Sequence, residues 1–137
     1  MKAKQKERGA VAVELAIVLP LLLLILIGII EFGRVLNVQV SLTQAAREGA
    51  RYAAIHYKDS NPDVTGAAQN AAPSLSGLGM TVTNNASSCS SVPTPNVTVT
   101  TRISLPSLTG FLNGGAFGIP GIFPLSMTGV GVMKCGG

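Results

Sequence analysis

Four residues in this chain are of types that do chemistry, and their spacing narrows what that chemistry is. Cys89 and Cys135 are the thiols, His56 is the single imidazole, and Glu14 is the one carboxylate inside a long apolar run. Two thiols do not complete a zinc site, and His56 is the only other soft ligand, so metal binding is a poor fit. No nucleophile, base and orienting group can be assembled around His56, which stands alone at the end of a helical stretch. The glycines form no phosphate-binding loop after a strand. The residues thus point to no catalytic centre, no cofactor and no metal, and Glu14 becomes the informative group.

The elements that must position Glu14 follow from composition. Of 137 residues, 47% are hydrophobic and 12% charged, against roughly 25% charged in an ordinary soluble domain. The excess is concentrated in Ala10 to Ile30, AVAVELAIVLPLLLLILIGII, long enough at about 1.5 Å per residue to cross a hydrocarbon core of roughly 30 Å. A transmembrane helix is expected there. The preceding MKAKQKERG carries Lys2, Lys4, Lys6 and Arg8 against Glu7, a short basic flank that the positive-inside rule keeps in the cytoplasm. Everything after Ile30 is then extracytoplasmic.

Beyond that flank, six basic groups face five acidic ones, so the basic balance is mostly a topology signal. A nucleic-acid surface needs clustered Lys and Arg, and after Asp59 the only charged residues are Asp63, Arg102 and Lys134; nucleic acid is set aside. The apolar run is longer than a signal peptide's and leads into EFGR without an A-x-A site or a lipobox cysteine, so it is expected to be retained. Pro20 removes one helix donor, and a bend or melted turn is expected around Ala16 to Pro20.

From Glu31 to Tyr57 there is no proline, and Val35, Val38, Leu42, Ala45, Gly49 and Ala53 recur at three- or four-residue spacing, the period of an amphipathic helix continuing the apolar one. In AAREGARYAA, the small residues Ala45, Ala46, Gly49, Ala50 and Ala53 permit close backbone approach. They form an interface candidate, whose occupant is either another subunit or the chain's own C-terminal part.

In the C-terminal part, Asn61 is expected to cap a short helix that has Pro62 and Asp63 in its first turn and runs to about Ala72. Met80–Thr83, Asn96–Ser104 and Leu125–Met133 alternate apolar with small polar residues and read as strands of a small antiparallel sheet. This sheet is expected to lie on the Val35 to Ala53 stripe, giving an α+β fold. Cys89 and Cys135, in an oxidising compartment, are expected to pair and staple the last strand. Residues 106–124 are too apolar for simple disorder, with Leu108, Phe111, Leu112, Phe117, Ile119, Ile122 and Phe123; they either cover the small core or dock on a partner or the membrane surface. Asn85-Ala86-Ser87 and Asn96-Val97-Thr98 fit the glycosylation sequon, a pattern short enough to arise by chance.

A carboxylate at the centre of a bilayer costs about 2.5 to 3.5 kcal/mol on insertion scales, so Glu14 calls for a reason. It stands five residues beyond Gly9, in ERG-AVAVE, which resembles the processing site of type IV prepilins. Cutting after Gly9 would free an α-amino group on Ala10 for Glu14 of the same or a neighbouring chain to neutralise, setting axial register in a helix bundle. The stretch Arg8 to Ala54, with its Gly, its Glu, the Pro-containing apolar run, EFGR and AAREGARYA, resembles the TadE-like family of tight adherence (Tad, Flp-type) pilus assembly proteins. PLSMTGVGVMK is similar to that family's final strand.

The resemblance implies a pilin-like fold and a minor pilin or pseudopilin needed for assembly of surface adherence fibres and biofilm formation. It implies Gly9 and Ala10 as the processing bond, a prepilin peptidase and other pilins and Tad assembly machinery as partners, the lipid bilayer as surroundings, and no enzymatic site. The expected organisation is a cleaved leader over 1–9, a transmembrane helix over 10–30, its extracytoplasmic continuation over 31–57 and a small head over 58–137. The competing reading is an uncleaved single-pass membrane protein whose head binds a partner.

Overall fold

The computed structural model describes residues 3–90, 96–110, 112–113 and 120–136. The chain divides into two compact units, Met1–Arg34 and Val35–Gly137. Helix α1, Ala3–Ile55, supplies residues to both.

In the first unit, α1 is apolar on every side from Ala10 to Ile30, and its large side chains there are exposed, Ile17 to 70%, except the half-buried Ile27. A helix that is hydrophobic all round is made to be surrounded by something other than water. The stretch Gly9–Ile55 has an 18-residue window of mean hydropathy 3.0, none of it buried, and is long and apolar enough to cross a membrane. One such helix near the N-terminus suggests single-pass anchoring. Of the bend or melted turn expected around Ala16 to Pro20, the melted turn is not seen, because α1 continues through these residues without interruption. Pro20 removes only the donor that would have served the Ala16 carbonyl, and the adjacent helical bonds suffice to carry the helix past it.

The second unit is an α+β head. Three antiparallel strands, β1 (Thr81–Asn84), β2 (Asn96–Leu105) and β3 (Leu125–Lys134), form a sheet in the order β1-β2-β3. Strand period two decides which residues enter the core. Val97, Val99, Thr101, Ile103 and Leu105 of β2 point inward, with Met127, Gly129 and Gly131 of β3 beside them. The register sets Thr101 opposite Gly129 and Val99 opposite Gly131. Met80, which the alternation assigned to the first strand, is buried just before β1, and the strand runs one residue later than expected.

The inward face of the sheet meets α1 along Val38, Leu42, Ala45, Ala46, Ala50 and Ala53, all buried. One cluster of core residues gathers Leu42, Leu75, Ile103, Leu105, Phe123 and Met127; a second gathers Ala50, Ala53, Val64, Val97 and Val99 around the two cysteines. Fully burying a side chain such as Leu42 stabilises by about 1.5–3 kcal/mol, so a thin three-stranded sheet gains much of its stability from the helix it lies on.

The helix boundaries also differ from the sequence expectation. Helix α1 ends at Ile55, two residues before Tyr57. Helix α2 runs Val64–Ala71, and its cap is Asp63 rather than Asn61, with the Asp63 carboxylate accepting from the Gly66 N–H at 2.9 Å. Asp63 serves two needs that Asn61 would serve singly, since it satisfies an orphan donor and places negative charge at the positive end of the helix. Pro73 then opens a 3₁₀ helix, Pro73–Leu78, which ends at Gly79 with φ 68°, a left-handed position that glycine adopts without penalty.

The tightest contact lies between α1 and β3. A Cβ on Gly129 would come within 2.5 Å of the Leu42 carbonyl oxygen, and one on Gly131 would overlap the Ala46 carbonyl. Gly131→Ala should therefore destabilise the head by about 1–3 kcal/mol or more through overpacking, each kcal/mol being worth roughly 4–8 °C in Tm for a unit of this size. Gly77→Ala, where a Cβ meets nothing within 4 Å, should stay within about 0.5 kcal/mol of the parent. Thermal melts followed by circular dichroism read both.

Candidate processing site and helix face

Gly9 and Ala10 lie in α1, and both are exposed. Ala10 and Glu14 are four residues apart, so they fall on one face of the helix a turn apart. Glu14 is exposed between apolar neighbours, with Val13 at 61% and Leu15 at 59%, and no hydrogen bond or ion pair reaches it among the described residues. The geometry presents one carboxylate within the apolar stretch 10–30 of the helix. A group of that kind is stabilised by a cation brought to it in low dielectric, and an amine on Ala10 would stand at the right height.

The small-residue stripe has its occupant within the chain. Ala45, Ala46, Ala50 and Ala53 are fully buried and Gly49 is buried with them. A Cβ on Gly49 would meet Ala68 Cβ and Val99 Cγ1 at 3.2 Å, so α2 and β2 close over this point. Gly129 and Gly131 of β3 close over the next turns. Of the two occupants left open by the sequence, the chain's own sheet takes the face. The remaining face of the helix shows Leu36, Val40, Arg47 and Ile55 to the outside. There Arg51 donates to both Glu48 carboxylate oxygens, the closer at 3.1 Å. The Glu48 hydrogen bond, and then its charge, hold the Arg51 guanidinium above its ordinary range; an exposed pair of this kind adds little stability.

Thr101 is a residue that pattern reading passed over. It is fully buried in β2, and its hydroxyl donates to the Leu42 carbonyl of α1 at 2.9 Å. A helix carbonyl already bonded within the helix still offers a second lone pair, and Thr101 uses it to pin the sheet at the point where Gly129 lets the backbones meet. The signals in the sequence are a polar residue at an inward position of β2 and the G-V-G alternation of β3.

The disulfide joins Cys89, in a 3₁₀ turn (Ala86–Ser90), to Cys135 with Cα atoms 5.5 Å apart. Both cysteines are buried. Next to it, the Gly136 N–H donates to the Ala54 carbonyl at 3.1 Å, and Gly136 has φ 72°. The end of β3 is thereby tied to the end of α1. His56 stacks on Tyr52 with ring centroids 4.0 Å apart, and its Nδ1 lies 2.9 Å from the Tyr52 carbonyl, a placement that closes the last turn of the helix.

In residues 106–124, Phe123 is buried in the core and Leu112 packs partly against it, its carbonyl accepting from the Ile122 and Phe123 N–H groups. Leu108 and Ile122 are exposed at 61% and 60%. Part of the segment thus covers the core; Phe111, Phe117 and Ile119 lie outside the described residues.

Residues 9–51 are similar to a known family. They match the family model described as TadE-like protein, over the stretch where the sequence resemblance was drawn. The match begins at Gly9, covers Glu14, Pro20 and EFGR, and ends at Arg51, short of the sheet. No curated protein and no solved structure matches the chain. The matched stretch lies wholly within helix α1.

One substitution and one reduction test the geometry of the head. Thr101→Val keeps the shape and removes the hydroxyl, and should cost about 1–2 kcal/mol in a denaturant melt. Opening the Cys89–Cys135 bond with a reductant should cost about 2–5 kcal/mol, with unfolding moved to lower temperature and the reduced chain running more slowly than the unreduced one on a denaturing gel.

Proposed function

We propose that this chain is a minor pilin or pseudopilin of a Tad-type pilus, needed for assembly of surface adherence fibres. The observation that carries the reading is the exposed, all-apolar helical stretch with a single carboxylate, Glu14, one turn from Ala10. The match of that same stretch to the TadE-like family supports it. In this reading residues 1–9 are a cytoplasmic leader, a prepilin peptidase cuts between Gly9 and Ala10, and the head stands outside the membrane.

The chemistry expected of each part follows. Before assembly the apolar stretch is solvated by lipid; after assembly it is solvated by the equivalent helices of other pilins. Association in either apolar setting is driven by packing and by polar groups that find partners. The freed Ala10 ammonium and the Glu14 carboxylate neutralise each other, and the pair is satisfied at one axial stagger of neighbouring helices. The chain's role in the pathway is mechanical and adhesive. The bond to be cut lies inside the first turns of α1, so the peptidase must bind this stretch unwound.

The intact mass and N-terminal sequence of the protein recovered from its native cells test the reading. A chain starting at Ala10 is expected; a chain starting at Met1 or Lys2 would instead make it an uncleaved single-pass anchor. Glu14→Ala should be made and inserted normally but appear in sheared fibres at a level lower by on the order of tenfold, because the Ala10 amine loses its partner. Undiminished incorporation would remove the register role.

A further inference from the structure

Strand β3 is an edge of the sheet, and two independent sets of hydrogen bonds say which of its backbone groups are free. Thr98 sends both its N–H and its carbonyl toward β1, to the Asn85 side chain and the Asn85 N–H. Alternation in an antiparallel ladder then turns Val97, Val99, Thr101 and Ile103 toward β3, where they meet Met133, Gly131, Gly129 and Met127. On the other side, the Thr128 carbonyl accepts from the Gln39 side chain at 3.0 Å, so it points off the ladder. Both observations leave Ser126, Val130, Val132 and Lys134 with N–H and carbonyl groups directed outward. Among the described residues, Gln39 is the one group that bonds this edge.

The surroundings of the edge are apolar and basic. Val130 and Val132 are exposed at 51% and 54%. At the corner between β3 and α1, a groove of about 360 Å³ is lined by Arg51, Ala54, Ile55, Met133 and Lys134. Arg47, whose backbone nitrogen lies against Gly131 of β3, is exposed. Arg51 is matched by Glu48, whereas Arg47 and Lys134 have no acidic partner among the described residues. An edge whose outward groups at Ser126, Val130, Val132 and Lys134 are unpaired is a template for another strand unless it is blocked, and here neither proline nor a bulge blocks it.

We propose that the β3 edge binds an extended segment of a different polypeptide, added as a fourth strand and carrying acidic side chains toward Arg47 and Lys134, with one apolar side chain in the Ile55–Met133 groove. Main-chain bonds supply affinity and the alternate side chains supply selection in such additions. Charge decides against a second copy as the occupant. The acidic residues of this chain are Glu7, Glu14, Glu31 and Glu48 in α1, and Asp59 and Asp63 just before α2; none lies in a strand, so another copy offers no acidic strand to pair. The inference stands on the head alone and holds whether or not Gly9–Ala10 is cleaved.

The test uses the full-length, isotope-labelled chain in detergent micelles and two synthetic decapeptides of alternating Val and Thr, one ending in Glu residues and the other in Lys residues. The acidic peptide should slow amide exchange at Val130 and Val132, leave Gly129 and Gly131 unchanged, and bind at least about tenfold more tightly than the basic one. Val130→Pro removes an outward N–H and no ladder bond, so binding should vanish with the melt unchanged. Arg47→Glu with Lys134→Glu leaves the backbone untouched and should reverse the preference, which keeps the test decisive should the proline variant fail to fold. Equal affinity for both peptides, or no protection by either, would overturn the proposal. Protection that grows with protein concentration in the absence of peptide would also overturn it, in favour of self-pairing.

Discussion

The head depends on a contact with almost nothing in it. Where α1 passes under β3, the Leu42 and Ala46 carbonyls occupy the space that side chains at positions 129 and 131 would need. Alanines at 45, 46, 50 and 53 keep the helix side of that contact low, so the sheet settles nearly on the helix backbone. The close approach brings the Thr101 hydroxyl within reach of the Leu42 carbonyl and lets three strands and two short helical segments build their core around one helix face. Dispersion between well-matched surfaces falls off within an ångström of separation, so a β-branched residue at 131 would loosen every neighbour of the stripe at once. The disulfide and the Gly136 bond to Ala54 then hold the far end of β3 against the same helix.

The same helix is used in two chemically opposite ways. From Val35 onward one face is buried and the other carries Arg47, Glu48 and Arg51 in water. Before Arg34 the apolar side chains are exposed on all sides. Because the small-residue face is filled by the chain's own sheet, contacts with other chains fall to the apolar stretch and to what the head leaves uncovered.

Much of this was legible in the sequence, for identifiable reasons. The apolar run, the three strands and the α+β class follow from periodicity, which burial enforces residue by residue. The cysteine pair followed from compartment and count, and the two residues are bonded. Periodicity says that a face is buried and not by what, so the occupant of the Ala45–Ala53 stripe needed coordinates. Gly129 and Gly131 read as weak strand residues because their value lies in the partner backbone, distant in sequence. Asn61 and Asp63 are both good caps on paper, and the Gly66 N–H decides between them. Pro20 does not melt the helix, since one missing donor does not end a helix that continues on both sides. The edge of β3 was invisible because strand order is a property of the sheet.

The account rests on the small-residue stripe being closed by the chain's own β3, and isotope-filtered NOE spectroscopy on a one-to-one mixture of labelled and unlabelled full-length chains in micelles tests it most directly. Cross-peaks from the Gly129 and Gly131 Hα protons to Leu42, Ala46 and Ala50 should appear only within a chain. The same cross-peaks between labelled and unlabelled chains would mean that a neighbour's strand fills the face, and the head would then be an intermolecular structure.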